Sequence, residues 1–518
     1  MFVTKRFVVA LATVAGFSFT VACVRSTADS TDVCGELATL PLIDLFIASA
    51  ELKPSDGTTP THCKVTGVIE TEINFELLLP ATEEWNGRFL MGGGGGYVGT
   101  VQNQAMTLFA HGGTALERGY ATVGTDTGHE GTGIEAGWAL DHPQRQRNWG
   151  HRAVHVTAEA AKSIIRHYYD RAPDYSYFVG CSRGGGQAMM ESQRYPNDFD
   201  GIVAAAPAYN WTAFTAGFVQ TQQAIFPDGD IDNPVITPET LKFLGASILA
   251  ACDADDGVID GVMVDPRRCD FSPTDLPRCV GDTSGSDCVT SMQLAAIETV
   301  YEGPKSNGES IFFGFNYGGE NDPGGWDSWV VDAQRQRARG VPNAQYGFGT
   351  EFYKYFVFSD PTWDFMTYDF SSWSKDTAAI SEVVDATDTD LSAFRNRGGK
   401  IIYWTGWSDL ALTPIGTIHY YEQLEETDSS EQDYASLYML PGVLHCSNGP
   451  GPDRVDWVEA IRSWVEEGQA PQRLVASKVD SAGDTIMTRP ICPYPKEAVY
   501  DGSGDPNLES SFNCAIQE

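Results

Sequence analysis

"YFVGCSRGGGQAMM", Tyr177 to Met190, sets a Gly-x-Ser-x-Gly pattern between an apolar run and a small-residue helix start. Such a pattern marks a strained strand-to-helix turn that exposes a nucleophilic serine, here Ser182. The pattern alone arises by chance in a glycine-rich chain, so its context must carry it. That context is present. "YFVG" leads in as a strand, "GGGQAMM" leads out as a helix, and Gly180 and Gly184 permit the tight turn. The competing reading is a structural glycine turn. One oddity remains: Cys181 stands directly against Ser182.

Outward from this turn, strand and helix patterns alternate in two separated regions. The first holds the strands 74–80, 88–93 and 120–126, a long amphipathic run at 151–170, the strand 175–180, a helix from about 185 to 195, and the strand 201–207. The second holds the strand 400–406, a helix near 415–425, the strand 436–442 and a helix at 456–467. Short apolar strands alternating with helices predict an α/β fold with a parallel sheet covered on both faces. Between them the alternation stops, in a span rich in Gly, Pro, Asp and aromatics. Residues 34–208 and 391–518 therefore read as two parts of one core. Residues 209–390 read as an inserted lid over the sheet's C-terminal edge, where open α/β sheets bind ligands.

A serine hydroxyl needs a base, and the base needs an orienting carboxylate. With this kind of turn, the acid and then the histidine follow the serine in the chain. Of the nine histidines, His419 and His445 lie in the second α/β region. His419 sits mid-helix in "GTIHYYEQL" and reads as a helix-surface residue. His445 sits in "LPGVLHCSNGP", a loop just past a strand, where an exposed imidazole belongs. The preceding strand runs into "IIYWTGWSD", which puts Asp409 just beyond it. A solvated loop or a helix cap is the other reading of Asp409. "RFLMGGGGGY", Arg88 to Tyr97, fits a loop that binds an oxyanion. One backbone N–H would come from any of Gly93 to Gly96 and the other from Arg183. A flexible linker is the alternative reading.

Composition bounds the partners. The chain has 518 residues and a formal net charge of −36, which argues against nucleic acid and anionic membrane surfaces. The N-terminus, "MFVTKRFVVALATVAGFSFTVAC", has a basic start and an apolar run too short for a membrane span, so residues 1–22 read as an export signal. Thr20 to Cys23 resembles a bacterial lipobox, with Thr where Leu is usual. The run fits both a lipid anchor at Cys23 and ordinary secretion, so the chain reads as secreted, periplasmic or an outer-membrane lipoprotein. Eleven cysteines in an exported chain suggest disulfides, and setting Cys23 aside leaves an even number. No C-x-x-C pair is present, which disfavours a zinc ribbon. Cys181 abuts Ser182 and Cys446 abuts His445, so a Cys181–Cys446 bond would tie the nucleophile's turn to the base's loop.

These features together resemble the tannase and feruloyl esterase family, which includes the mono(2-hydroxyethyl) terephthalate hydrolases. The stretches that carry the resemblance are "EWNGRFLMGGGGGY", "YFVGCSRGGGQAMMESQRYPNDFDGIVAAAPA", "CDADDGVIDGV", "LPGVLHCSNGPGPDRVDWV" and "RPICPYPKEAVYDGSGD". The resemblance implies an α/β-hydrolase fold with a large inserted lid, and Gly96 as the loop donor. It implies the pairs Cys34–Cys63, Cys181–Cys446, Cys252–Cys269, Cys279–Cys288 and Cys492–Cys514. The acidic loop "DADDGVIDG" suits a hard cation. The resemblance implies a structural Ca²⁺ held by Asp253, Asp256 and Asp260 with the carbonyls of Val258 and Val262. A solvated acidic turn is the other reading.

The expected activity is hydrolysis of aromatic acid esters of the hydroxycinnamic or gallic type, through an acyl-enzyme. The lid stretch "GTEFYKYFVFSDPTWDF" offers Phe352, Tyr353, Tyr355, Phe356 and Trp363 to bury a planar acyl group, and each also reads as lid core. By resemblance, Phe352 stands where terephthalate-type members carry an Arg for the substrate carboxylate. That favours a phenolic acid over a terephthalate mono-ester, the alternative substrate. A serine peptidase is a further alternative. A catalytically silent, Ca²⁺-dependent binding protein is the reading from a different class.

Overall fold

The computed structural model describes residues 30–331, 337 and 340–517, together with Met1. The export signal and Cys23 lie outside the described residues. The principal strands in chain order are β1 (Leu45–Lys53), β2 (His62–Ile69), β3 (Ile73–Pro80), β4 (Arg88–Gly92), β5 (Ala121–Thr125), β6 (Tyr175–Ser182), β7 (Gly201–Pro207), β8 (Lys400–Gly406) and β9 (Ala435–Leu440). They form one sheet of nine strands in the order β1-β2-β3-β5-β4-β6-β7-β8-β9.

The sheet is mixed, which corrects the expectation of a parallel one. The pairs β1/β2, β2/β3 and β3/β5 are antiparallel. From β5 through β9 every pairing is parallel. Chain connectivity explains the difference. β2 and β3 are joined by a turn of residues 70–72, in which Glu70 has φ 56°, and so short a link permits only antiparallel pairing. β1 escaped the sequence reading because it is an edge strand, with most of its residues only partly covered.

From β6 onward, alternate side chains enter opposite cores, as strand geometry requires. Phe178, Ile202, Ala204, Ile401 and Tyr403 join the core beneath α1 (Ala153–Tyr169). Val179, Cys181, Val203, Ala205, Ile402 and Trp404 join the opposite core. That second core is closed by Trp457, Ile461 and Trp464 of the last long helix, Trp457–Glu467. α2 (Arg183–Arg194) starts directly at the end of β6.

Between β7 and β8 the chain is mainly helical. Its longer helices are α3 (Trp211–Ile225), α4 (Pro238–Cys252), α5 (Ser291–Glu302), α6 (Ala344–Phe352) and α7 (Trp373–Val384). Their apolar faces build a third core that includes Phe218, Leu244, Ile297, Trp326 and Phe352. Tyr97, Val98 and Trp149 belong to the same core, so the insertion packs onto the loop that follows β4. This places it over the C-terminal ends of the parallel strands, in an α/β-hydrolase arrangement.

Candidate active site

Ser182 closes β6 and caps α2 with φ 64° and ψ −123°, a region that non-glycine residues rarely occupy. The surrounding structure enforces it. The β6–β7 register slips between Cys181 and Ser182, and the Ser182 carbonyl accepts the Ala208 amide at 2.9 Å. A Cβ on Gly180 would lie 2.4 Å from the Gly184 backbone, and one on Gly184 would lie 2.4 Å from Oε1 of Gln104. Both flanking glycines are therefore steric requirements of the turn.

The candidate acid and base come from the loops after β8 and β9. Asp409 is almost fully buried, and its Oδ1 accepts the amides of Ala411 and Leu412, each at 2.9 Å. Its Oδ2 faces Nδ1 of His445 at 2.9 Å. Since the carboxylate accepts, Nδ1 carries the proton and Nε2 keeps its lone pair. His445 and Ser182 line the same cavity. His419 is elsewhere: it is exposed on the helix Pro414–Thr427, with its ring 5.0 Å from that of Phe313.

The glycine loop resolves which amide is available. The N–H groups of Gly93, Gly94 and Gly95 donate to the Val179 carbonyl, Gln187 Oε1 and Gln102 Oε1 respectively. That of Tyr97 donates to the Gly133 carbonyl. The Gly96 N–H has no acceptor among the described residues, and Gly96 lines the cavity. Gly96 has φ +55°, and a Cβ there would sit 2.1 Å from the Gly133 oxygen. The Arg183 amide is the first of α2 and has no intrahelical acceptor.

The cavity lined by Ser182, His445 and Gly96 is narrow. Its aromatic wall is Trp211, Phe214 and Phe218 from α3, with Trp329 and Phe348. The five aromatics expected from the sequence do not line it. Phe352, Tyr353 and Phe356 are buried in the insertion's core. Trp363 stacks on Tyr353 at 5.1 Å, and Tyr355 packs at Gly137. Phe348 of α6 reaches the cavity, whereas Phe352, one helical turn on, packs behind Trp211, and the chain then runs into a π-helical turn, Tyr353–Val357. The identity of residue 352 therefore says nothing about a substrate carboxylate. The α3 aromatics carried a usable signal, because 211, 214 and 218 share one helical face just past a strand end. Trp329 carried none.

All five disulfides are formed: Cys34–Cys63, Cys181–Cys446, Cys252–Cys269, Cys279–Cys288 and Cys492–Cys514. The acidic loop is closed on itself. Asp253 accepts the Gly261 amide at 2.8 Å, Asp256 accepts those of Val258 and Val264, and Asp260 pairs with Arg489 at 2.8 Å. Burial pushes the Asp256 carboxyl up to about 6. The carbonyls of Val258 and Val262 accept no hydrogen bond among the described residues. The oxygen-only donor set fits a hard cation in chemistry. As placed, however, no three His, Cys, Asp or Glu side chains among the described residues are grouped to hold a metal ion.

Beneath Ser182, the Arg183 side chain is fully buried and makes no ion pair among the described residues. Burial pulls its guanidinium down to about 9, opposed by Asp385, whose own carboxyl burial pushes up to about 7.

Comparison with known proteins places these features in company. Residues 59–515 match the family model described as tannase and feruloyl esterase. The chain is 34% identical to the mono(2-hydroxyethyl) terephthalate hydrolase of Piscinibacter sakaiensis, over 92% of this chain and 89% of that protein. It is 32% identical to a probable feruloyl esterase of Arthroderma benhamiae, over 86% of this chain and 83% of the relative. The crystal structure of feruloyl esterase B from Aspergillus oryzae superposes with a TM-score of 0.83 at 25% identity, covering 94% of this chain and all of that one.

Proposed function

Because this chain belongs to the tannase and feruloyl esterase family and is a carboxylic ester hydrolase, we propose that it is an exported serine esterase of phenolic aromatic acids. The observation that carries the reading is one aromatic-walled cavity lined at once by Ser182, His445 and Gly96. In this reading Ser182 Oγ attacks the ester carbonyl carbon while His445 Nε2 takes the hydroxyl proton. Asp409 holds the imidazole and stabilises the imidazolium. The N–H groups of Gly96 and Arg183 receive the oxyanion. The C–O bond to the alcohol then breaks, and His445 returns the proton to the leaving oxygen. Water repeats the sequence on the acyl-enzyme and releases the acid. Five disulfides support an oxidising compartment.

The acyl preference follows from the wall. Among the described residues it contains no Lys or Arg, so a terephthalate mono-ester would bury its carboxylate without a partner. We expect kcat/KM for methyl ferulate or methyl gallate to be at least about tenfold above that for mono(2-hydroxyethyl) terephthalate. The same panel with tannic acid tests the proposal, and an equal or reversed preference would overturn it. The likeness to the terephthalate hydrolase makes that outcome the second reading.

A structural Ca²⁺ in the Asp253–Val262 loop is also proposed. Its support is the donor set of three carboxylates and two unoccupied carbonyls. The ion would brace the insertion and take no part in the chemistry. Ca²⁺ at 100 times its Kd should add about 2.7 kcal/mol of stability. EDTA should accordingly lower Tm more than it lowers the initial rate. Loss of activity without loss of Tm, or no Tm response to Ca²⁺, would exclude the site.

A further inference from the structure

We infer that the Arg183 side chain and the Trp149 indole form one brace that positions both oxyanion donors. This rests on the serine esterase reading above. Arg183 supplies one donor through its main-chain N–H. Its side chain then runs inward, where Nη2 donates to the carbonyls of Trp149 and Gly150, each at 2.6 Å. The guanidinium also lies 4.1 Å above the Trp149 ring. Trp149 in turn donates its Nε1–H to the carbonyl of Gly96 at 3.3 Å, and Gly96 carries the other donor. Each oxyanion amide is thus fixed to the other through two side chains.

Local backbone chemistry makes the brace possible. Trp149 and Gly150 lie in a π-helical turn, Asn148–Arg152, where the wider ring shifts the carbonyls out of the ordinary helical ladder. The indole is held edge-on by Trp211 at 4.8 Å and tilted against Tyr97 at 5.5 Å. The arrangement is costly as mere packing. Arg183 is fully buried, and its Nε and Nη1 have no hydrogen-bond partner among the described residues. An apolar side chain of similar length would fill the space without burying a charge. A residue kept at such a cost beside the nucleophile is one that positions something.

Trp149→Phe deletes the Nε1–H bond and keeps an aromatic ring in the cluster, with a small cavity where the rest of the indole was. Full-length Trp149→Phe should lose about tenfold in kcat on methyl ferulate, less than deleting an oxyanion donor outright. KM should stay within about twofold and Tm within about 2 °C, because neither reads the oxyanion. Affinity for phenylboronic acid, which forms a tetrahedral adduct on the serine, should fall in step with kcat. Arg183→Met should behave alike, Arg183→Lys should recover part of the rate, and the double variant should be no slower than the slower single one. Unchanged kcat in Trp149→Phe overturns the inference. So does a joint fall of kcat, KM affinity and Tm, or additive losses in the double variant. If Arg183→Met does not fold, Trp149→Phe alone decides. Should Ser182→Ala retain turnover, the serine reading fails first; if Ser182→Ala is inactive and Trp149→Phe is unaffected, only the brace falls.

Discussion

Ser182→Ala is expected to abolish ester hydrolysis while leaving Tm close to the parent value. In the proposed mechanism the hydroxyl is the attacking group, so its loss leaves only oxyanion stabilisation and binding acting on water. His445→Ala and Asp409→Asn should each cost at least about 10³-fold in kcat. The Asp409 change is the more informative. Oδ1 of Asp409 accepts two loop amides and Oδ2 accepts the His445 Nδ1–H. An asparagine can keep the loop bonds through its carbonyl oxygen. It would then present an NH₂ to Nδ1 and force the proton onto Nε2, which removes the base without disturbing the loop. His419→Ala is the control, since its ring packs on Phe313 and its side chain is exposed. A loss in His419→Ala as large as that in His445→Ala would remove His445 from the role given to it.

Much of the site was legible because its chemistry is local in the chain. The turn at Ser182 is written in the glycines that flank it, and each of those glycines is closed by a neighbour within 2.4 Å of a would-be Cβ. Strands that end in loops made Asp409 and His445 readable from spacing. The aromatic wall of the cavity was not legible, because two aromatics one turn apart on the same helical face can sit at different depths. Phe348 lines the cavity and Phe352, four residues on, packs against Trp211 and Phe356. The π-helical turn after Phe352 has no marker in composition. The antiparallel edge was missed for a related reason. β1, "LFIASAELK", is half-covered, so its alternation is too weak to read. The choice among Gly93 to Gly96 needed the hydrogen bonds, since the four glycines are identical until their amides are assigned.

The second large effect is expected at the Cys181–Cys446 disulfide, which spans 265 residues between the Ser182 turn and the His445 loop. In the chain-entropy model a loop of that length is worth about 5.6 kcal/mol at most. Replacing both cysteines with serine should therefore lower Tm, and intact mass under non-reducing conditions should show one disulfide fewer. The catalytic loss should fall on the histidine side. Gln104 brackets Cys181 from a third segment, accepting from its amide at 2.8 Å and donating to its carbonyl at 3.3 Å. The Ser182 turn is thus held whether or not the bond exists. Among the described residues Cys446 has no such bracket, with φ 64° in a loop whose Leu444 amide donates to the Asn448 carbonyl only four residues away. Without the disulfide, His445 is held mainly by its bond to Asp409. A displacement near 1 Å at a general base costs about 10²-fold, so kcat of the double variant should fall by about that factor while KM changes little. A double variant that loses stability but keeps the parent kcat would mean that the bond only stabilises the fold. The adjacency of cysteine to both reacting residues would then have no catalytic meaning.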